Sequence, residues 1–533
     1  MSVLPMQDYP ACHSAFRWEV PQRFNFGRDV VDAHAARQDR LALVCTSDSQ
    51  ATQRFLFSDI ARLSAQYAHV LRRAGLRAGD RVLVQLPRIA AWHIAMTACT
   101  KLGLVPVPCI GMLTAKDVLY RIAHCDAQGV ITLPEHTVKY QDAPGLRVRA
   151  CIGVAEGWLD LPQEAARESH DFQCVDTAAE TPAILFYTSG SSGLPKGVCH
   201  ASRALWAWRY SSDYWQAIGA GDLIWCTADT GWSKCGTGSL FGPWGAGSAV
   251  MVHDGVFDPA RRMALLDQEK PTVFCAAATE FRQFIAMDLR PYDLSRLRLS
   301  VSAGESVNPE VVLRWRELTG VDLLDGYGQT ETLMTILNYP GMPVKPGSMG
   351  RPLPGSSFEV VNDEGEALAD DEVGQIALVL PNPQWMLGYW NDPEKTRAST
   401  LTTARGLRWL TGDMGYRDRD GYFFYTGRAD DIISSAGYRI GPMEVENAIM
   451  EHPCVLEVAV VGKKDAERGE IVKAFVVLKP GYVAGDALVQ AIQQHVKTAT
   501  APYKYPREIS FLPALPKNPA GKLLRRELRD RAA

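Results

Sequence analysis

The sequence predicts an α/β protein: a large N-terminal domain of layered α/β subdomains with a β-rich subdomain, followed by a small α+β C-terminal domain. Three observations predict it. Helix and strand periodicities alternate from residue 57 onward, turn-linked strands follow about residue 340, and roughly the last hundred residues carry a pattern of their own.

The elements follow in order. Ile60, Leu63, Tyr67, Val70 and Leu71 recur at helical spacing, and Gly75 and Gly79-Asp80 stop that helix. Residues 81–86 read as a strand, 89–102 as a second amphipathic helix and 104–110 as a second buried strand. Such alternation builds a largely parallel sheet covered by helices, and it continues to about residue 340. Beyond that point, 358–361 and 375–380 read as strands joined through the turn Asp363-Glu364-Gly365, so this part is smaller and more antiparallel. Residues 455–461, 472–478 and 508–512 read as strands and 487–496 as a helix, a unit able to form its own core. Its start is placed near Asp430, giving domains over 1–429 and 430–533. No Gly/Ser-rich linker, internal repeat or low-complexity tract marks the chain.

The 533 residues are 47% hydrophobic, enough for more than one core. Charged residues make up 22% and the net charge is -4, which argues against nucleic acid or an anionic membrane as the main partner. The twelve cysteines are scattered with no C-x-x-C pair, so reduced thiols packed as small hydrophobes are expected, Cys199, Cys226, Cys235 and Cys275 included. The N-terminus carries Asp8 and Pro10 and lacks a basic segment followed by an apolar run. With no apolar stretch long enough for a bilayer, a soluble cytoplasmic protein without integral membrane association is expected.

The segment richest in chemistry is Tyr187-Thr188-Ser189-Gly190-Ser191-Ser192-Gly193-Leu194-Pro195-Lys196-Gly197, which follows the apolar run 183–186. Glycines free the backbone, hydroxyls add donors beside the amides, and Lys196 adds positive charge, so the loop suits polyphosphate. It is not a Walker loop, because Pro195 precedes Lys196 and Gly197 follows it.

Thr188 to Gly197 resembles the phosphate loop of the adenylate-forming superfamily, which contains acyl-CoA synthetases, luciferases and peptide-synthetase adenylation domains. Further segments follow in that superfamily's order: Ser302-Ala303-Gly304-Glu305, Asp325-Gly326-Tyr327-Gly328-Gln329-Thr330-Glu331-Thr332, Leu410-Thr411-Gly412-Asp413 and Gly427-Arg428-Ala429-Asp430-Asp431. Ser435-Ala436-Gly437-Tyr438-Arg439-Ile440-Gly441-Pro442 and Pro516-Lys517-Asn518-Pro519-Ala520-Gly521-Lys522 complete the set.

The resemblance implies roles. Gly304, Glu305 and Tyr327 look like the adenine pocket, with Asp325, Gly326, Gly328 and Gln329 in the same nucleotide-binding segment. Thr330 would donate to the α-phosphate, Glu331 would hold Mg²⁺, and Asp413 would accept from the ribose hydroxyls. Arg428 and Arg439 suit phosphate or ribose contacts. Lys522 looks like the adenylation lysine, placed where negative charge gathers between carboxylate and α-phosphate. The superfamily rotates its C-terminal domain, so a mobile domain hinged at Asp430 is implied. Rotation would withdraw Lys522 and bring Ala436, Gly437 and Tyr438 to a pantetheine arm. Arg468, Lys473, Tyr505 and Arg507 are candidates for coenzyme A contacts.

The C-terminal run, with Asp229-Thr230-Gly231-Trp232, Pro243-Trp244 and Phe24-Asn25-Phe26, is most similar to medium-chain acyl-CoA synthetases; acetyl-CoA synthetases share much of the chemistry but are typically longer, and aryl-CoA ligases are the other alternative. An acyl pocket drawing on Trp232, Gly236, Ala278 and Leu333 is implied. Leu333 stands where the family commonly has glycine, and 276–279 lacks a proline often found there. A larger side chain at Leu333 implies a short or medium-chain, branched or aromatic acid. Glu280 reads as a surface residue or one facing this pocket. The expected reaction consumes ATP, a small carboxylic acid and CoA. Transfer of the adenylate to a carrier-protein phosphopantetheine, or a catalytically silent nucleotide-binding scaffold, are the alternatives. Oligomeric state is not legible.

Overall fold

The computed structural model describes residues 6–188, 194–435, 438–465, 467–517 and 523–532, all side chains within them except those of Gln7 and Arg439. Its spine is a 14-stranded sheet. Leu41–Ser47, Ala249–Asp254, Leu223–Cys226, Val273–Ala276, Leu299–Ala303 and Leu323–Gln329 lie side by side in parallel. Their centres are apolar and covered on both faces, as parallel strands require. At Leu333–Leu337 and Ser348–Pro352 the pairing turns antiparallel and leads into the β-rich part, Phe358–Val361 to Phe423–Arg428.

A second, parallel five-stranded sheet contains Arg81–Gln85, Val105–Pro108, Ala127–Thr132, Val148–Cys151 and Leu159–Asp160. Its helices Phe57–Arg73 and Ala90–Leu102 lie where the apolar spacing puts them, and Gly103, at φ 70°, ends the second. Among the described residues, the alternation before residue 340 is broken at Pro182–Thr188 and Lys196–Ala201, which pair antiparallel. The connection 189–195 is too short for the crossover that parallel neighbours need.

The C-terminal unit forms its own sheet from Ile433–Ser435, Tyr438–Ile440, Val455–Asp465, Gly469–Leu478 and Glu508–Phe511. The hairpin 455–478 is longer than its apolar runs, because pairing continues through Lys463 and Lys464 opposite Ile471 and Glu470. All twelve cysteines are free, and all but Cys12 and Cys174 are buried, as small hydrophobes would be. Among the described residues, no helix is long and apolar enough to cross a membrane.

The last helix, Arg525–Ala532, is pinned by one buried charge pair. Arg525 Nη1 donates to Glu446 Oε1 at 2.6 Å and to the Val460 carbonyl at 2.7 Å, and Nη2 donates to Glu446 Oε2 at 2.9 Å. The amide of Val460 donates to the same Glu446 Oε1 at 2.7 Å. Arg529 on this helix donates to the Asp430 carbonyl at 2.9 Å and pairs with Asp431 at 3.0 Å. Arg525→Met leaves the Glu446 carboxylate buried and short of its partner, so it should destabilise the C-terminal unit by about 3 kcal/mol. Urea unfolding followed by a probe in that unit measures this.

Candidate active site

A hairpin at the centre of the large sheet builds the site. Leu323–Gln329 and Leu333–Leu337 pair with Gln329 opposite Leu333, leaving a loop of Thr330, Glu331 and Thr332. The amide of Gln329 donates to Thr332 Oγ1 at 3.2 Å, which closes the loop. Leu333 adopts φ 55°, the left-handed conformation at which three-residue hairpin loops favour glycine. The leucine costs about 1–2 kcal/mol in backbone strain there. Gly328 has no alternative, since a Cβ would meet the Leu333 carbonyl oxygen at 1.7 Å.

The loop aims Glu331 at Lys196. Lys196 Nζ donates to Glu331 Oε1 at 2.8 Å and to Tyr389 Oη at 2.8 Å, and Tyr389 Oη donates to the same Glu331 oxygen at 2.7 Å. The ammonium also stands 4.3 Å from the Tyr389 ring centre. Burial alone would push the Glu331 carboxyl up, but the Lys196 charge and its hydrogen bond, with Tyr389, outweigh it and hold the group below its ordinary value. Oε1 takes both donors, so Oε2 remains a hard oxygen of the kind a phosphate-bound Mg²⁺ uses. The residues present therefore fit that ion.

His200 Nε2 lies 2.7 Å from the Thr330 carbonyl, and Ser233 Oγ lies 3.2 Å from Thr330 Oγ1. Burial pushes the His200 imidazole down to about 4, so the neutral ring donates its Nε2–H to that carbonyl. Thr188 ends the strand before the phosphate loop, and its Oγ1 is buried with no partner among the described residues.

A second node surrounds Asp413. Gln329 Nε2 donates to Oδ2 at 2.6 Å and Tyr327 Oη to the same oxygen at 2.7 Å, while Arg428 Nη1 donates to Oδ1 at 2.8 Å. Burial works against the Arg428 charge, but Asp413 beside it holds the guanidinium above its ordinary range. Asp413 thus orients Tyr327, Gln329 and Arg428 at once. Gly304 has φ 95° with open space where a Cβ would stand, which suits a flat base.

Other candidates of this segment are used within the protein. Asp325 accepts from the amides of Val307 at 3.2 Å and Gly326 at 2.9 Å, and burial pushes its carboxyl up to about 8. Glu305 Oε1 accepts from the Thr279 amide at 2.7 Å. A Cβ on Gly326 would press against Trp215 and Leu337 at 2.8 Å.

Trp232 caps the helix Ser233–Ser239, which packs against Leu333–Leu337. Ala278 is buried at the start of the helix Ala278–Phe284, and Leu333 is buried beside its hairpin. Gly236 faces Phe186, which a Cβ would approach to 3.2 Å. Glu280 is partly buried, and its carboxylate is engaged within the protein. It accepts from Thr227 Oγ1 at 2.6 Å and lies 3.7 Å from Arg262.

In the C-terminal unit, Tyr438 is exposed and stacks on Tyr503 with ring centres 4.2 Å apart. The amide of Arg468 donates to Asp465 Oδ1 at 3.0 Å. Lys473 is buried and paired with Glu508 at 3.4 Å. Arg507 Nη1 donates to Tyr505 Oη at 3.2 Å. Asp430 is exposed in the short turn Ala429–Asp431. Ser189, Gly190, Ser191, Ser192, Gly193, Ala436, Gly437, Lys522 and the Arg439 side chain lie outside the described residues.

Sequence reasoning does not find Tyr389 or His200. His200 carries a signal, since it lies on the same strand and face as Lys196. Tyr389 carries none by spacing: its strand reaches Lys196–Ala201 only through the fold.

His93 and His200 are both buried, and burial pushes each down to about 4 from 6.5. The unfolded chain takes up these protons near pH 6.5 while the folded protein refuses them until about 4. Their contribution is therefore complete above pH 6.5 and lost as pH falls toward 4. Thermal melts across this window should show a falling midpoint, and His200→Gln should flatten part of the slope.

Comparison with known proteins agrees with this geometry. The AMP-binding enzyme family model matches residues 31–390, and the AMP-binding enzyme C-terminal domain model matches 444–522. The mitochondrial acyl-coenzyme A synthetase ACSM3 of Mus musculus is 40% identical over 98% of this chain and 93% of its own. An uncharacterized acyl–CoA ligase of Bacillus subtilis (strain 168), YtcI, is 38% identical over 96% of this chain and 97% of its own. The crystal structure of the anthranilate CoA ligase AuaEII in complex with anthranoyl-AMP superposes with a TM-score of 0.88 at 30% identity, covering 96% of this chain and 98% of that one. With both models matched in order and relatives aligned almost end to end, the chain belongs to the AMP-binding enzyme family.

Proposed function

We propose that this protein is an AMP-forming acyl-CoA synthetase. It joins a carboxylic acid to ATP as acyl-AMP with release of pyrophosphate, then transfers the acyl group to CoA with release of AMP. The observation that carries the reading is the meeting of two nodes at one hairpin: Glu331 of its loop with Lys196 and Tyr389, and Tyr327 and Gln329 of its first strand with Asp413, which also takes Arg428.

In the first step an oxygen of the substrate carboxylate attacks the α-phosphorus, and the bond to the bridging oxygen of pyrophosphate breaks. No protein nucleophile is needed. Thr330, held from behind by His200, offers its hydroxyl to the α-phosphate. Lys196, with the loop Ser189 to Gly193, meets the β- and γ-phosphates. Glu331 would hold Mg²⁺, which supplies neutralisation of phosphate charge. Asp413 accepts from the ribose, Tyr327 and Gly304 flank the base, and Arg428 and Arg439 steady the nucleotide. Lys522 places positive charge where the carboxylate and α-phosphate meet. In the second step the CoA thiol attacks the acyl carbonyl, loses its proton to solvent, and AMP departs. Rotation of the unit 430–533 about Asp430 would bring Gly437 and its neighbours to the pantetheine, with Arg468 toward the CoA phosphates.

The acid is short or medium-chain, branched or aromatic. Leu333 supports this, as a buried side chain at a position where glycine would leave room.

Lys522→Ala should slow adenylation by roughly 10²–10³-fold while sparing thioester formation from supplied acyl-adenylate. Equal loss of both half-reactions would count against the two-conformation mechanism. Mass spectrometry of wild type and Leu333→Gly with ATP, Mg²⁺ and graded acids, with and without CoA, tests the reaction and the pocket. Wild type should yield acyl-CoA from shorter acids, and the variant should shift toward longer ones. Acyl-adenylate that persists despite CoA would redirect the second step to a carrier-protein thiol.

A further inference from the structure

Lys234 is a charged side chain that the adenylation and thioester steps do not use. It sits in the first turn of the helix Ser233–Ser239, between Ser233, which meets Thr330, and the buried Cys235. Its ammonium reaches the ends of two adjacent parallel strands, donating to the Ala303 carbonyl at 2.9 Å and the Ala276 carbonyl at 3.2 Å. Those carbonyls directly precede Gly304 and the segment leading to Ala278, so the ammonium lies among the residues assigned to the base and the acyl group.

Among the described residues, no carboxylate stands at ion-pair distance from Lys234. The two nearby acids are engaged elsewhere: Glu280 with Thr227 and Arg262, and Glu305 with the Thr279 amide. Burial works against the Lys234 charge, but Cys275, Cys226, Glu280 and Glu305 around it outweigh that and keep the ammonium charged. An ammonium has three N–H donors, and two are spent on main-chain carbonyls.

We propose that Lys234 is a specificity-determining residue that reads a neutral oxygen, hydroxyl or keto, on the acyl part of the substrate acid. This rests on the acyl-CoA synthetase reading of the site. The third N–H would donate to that oxygen, and a hydroxyl there would return its proton toward Ala303 or Ala276. A purely hydrocarbon acid leaves the donor unmatched in a partly buried site, which is where polar recognition discriminates most. A second carboxylate is disfavoured, because the Glu280 and Glu305 carboxylates already act on the Lys234 ammonium and would oppose a further negative charge beside it.

The test compares kcat/KM for isosteric acids bearing a methyl, hydroxyl, keto or carboxylate group, in wild type and Lys234→Met. Wild type should prefer at least one hydroxy or keto acid over its alkyl isostere by roughly 10- to 100-fold. Lys234→Met should abolish that preference while KM for ATP stays within about twofold. The wild-type panel stands without the variant, should the variant misfold. Equal or better use of alkyl isosteres across the panel, or a leading preference for the dicarboxylate, would overturn the inference while leaving AMP formation intact. Absence of acid-dependent AMP from every acid would instead overturn the synthetase reading, and the inference with it.

Discussion

The contact on which this site depends is the one between Glu331 and Lys196. A buried carboxylate left without a partner is destabilising by several kcal/mol, so the hairpin that carries Glu331 settles only where Lys196 and Tyr389 can meet it. Those three residues come from two sheets. Glu331 belongs to the loop of the large sheet, while Lys196 and Tyr389 belong to the three-stranded sheet that also ends in Thr188. The Met386 amide adds a bond to the Glu331 carbonyl at 2.9 Å, so the backbone of the loop is tied to the same segment. One charge pair thus sets the strand Lys196–Ala201 against the hairpin.

Asp413 extends this arrangement into the β-rich part. Its two oxygens collect Tyr327 and Gln329 from the hairpin and Arg428 from the strand paired beside it. Arg428 directly precedes the turn Ala429–Asp431, whose Asp430 carbonyl and Asp431 side chain are held by Arg529 of the last helix. The proposed nucleotide contact Arg428 and the proposed hinge Asp430 are therefore neighbours, one ending a strand and the other in the turn that follows it.

The motif segments were legible in the sequence because each is local: a few residues whose types and order carry the chemistry. The parallel strands and their helices were legible for a related reason, since apolar spacing within a dozen residues decides them. Three things were not. The antiparallel pairing of the strands around the phosphate loop follows from a short connection, not from periodicity. Asp325 and Glu305, placed by motif with the nucleotide, spend their carboxylates on the amides of Val307, Gly326 and Thr279. Glu280, read as a surface or pocket residue, is held between Thr227 and Arg262.

By itself the sequence determined the fold class, the order of the motifs and the departure at Leu333. Those are properties of residue type, spacing and neighbourhood along the chain. Only the tertiary structure decided that Leu333 carries the left-handed turn of its hairpin, that Tyr389 completes the Lys196–Glu331 pair, and that Lys234 reaches across two strand ends. The last two depend on segments far apart in the chain. Their distance in space is set by sheet order and loop length, and no local pattern encodes it.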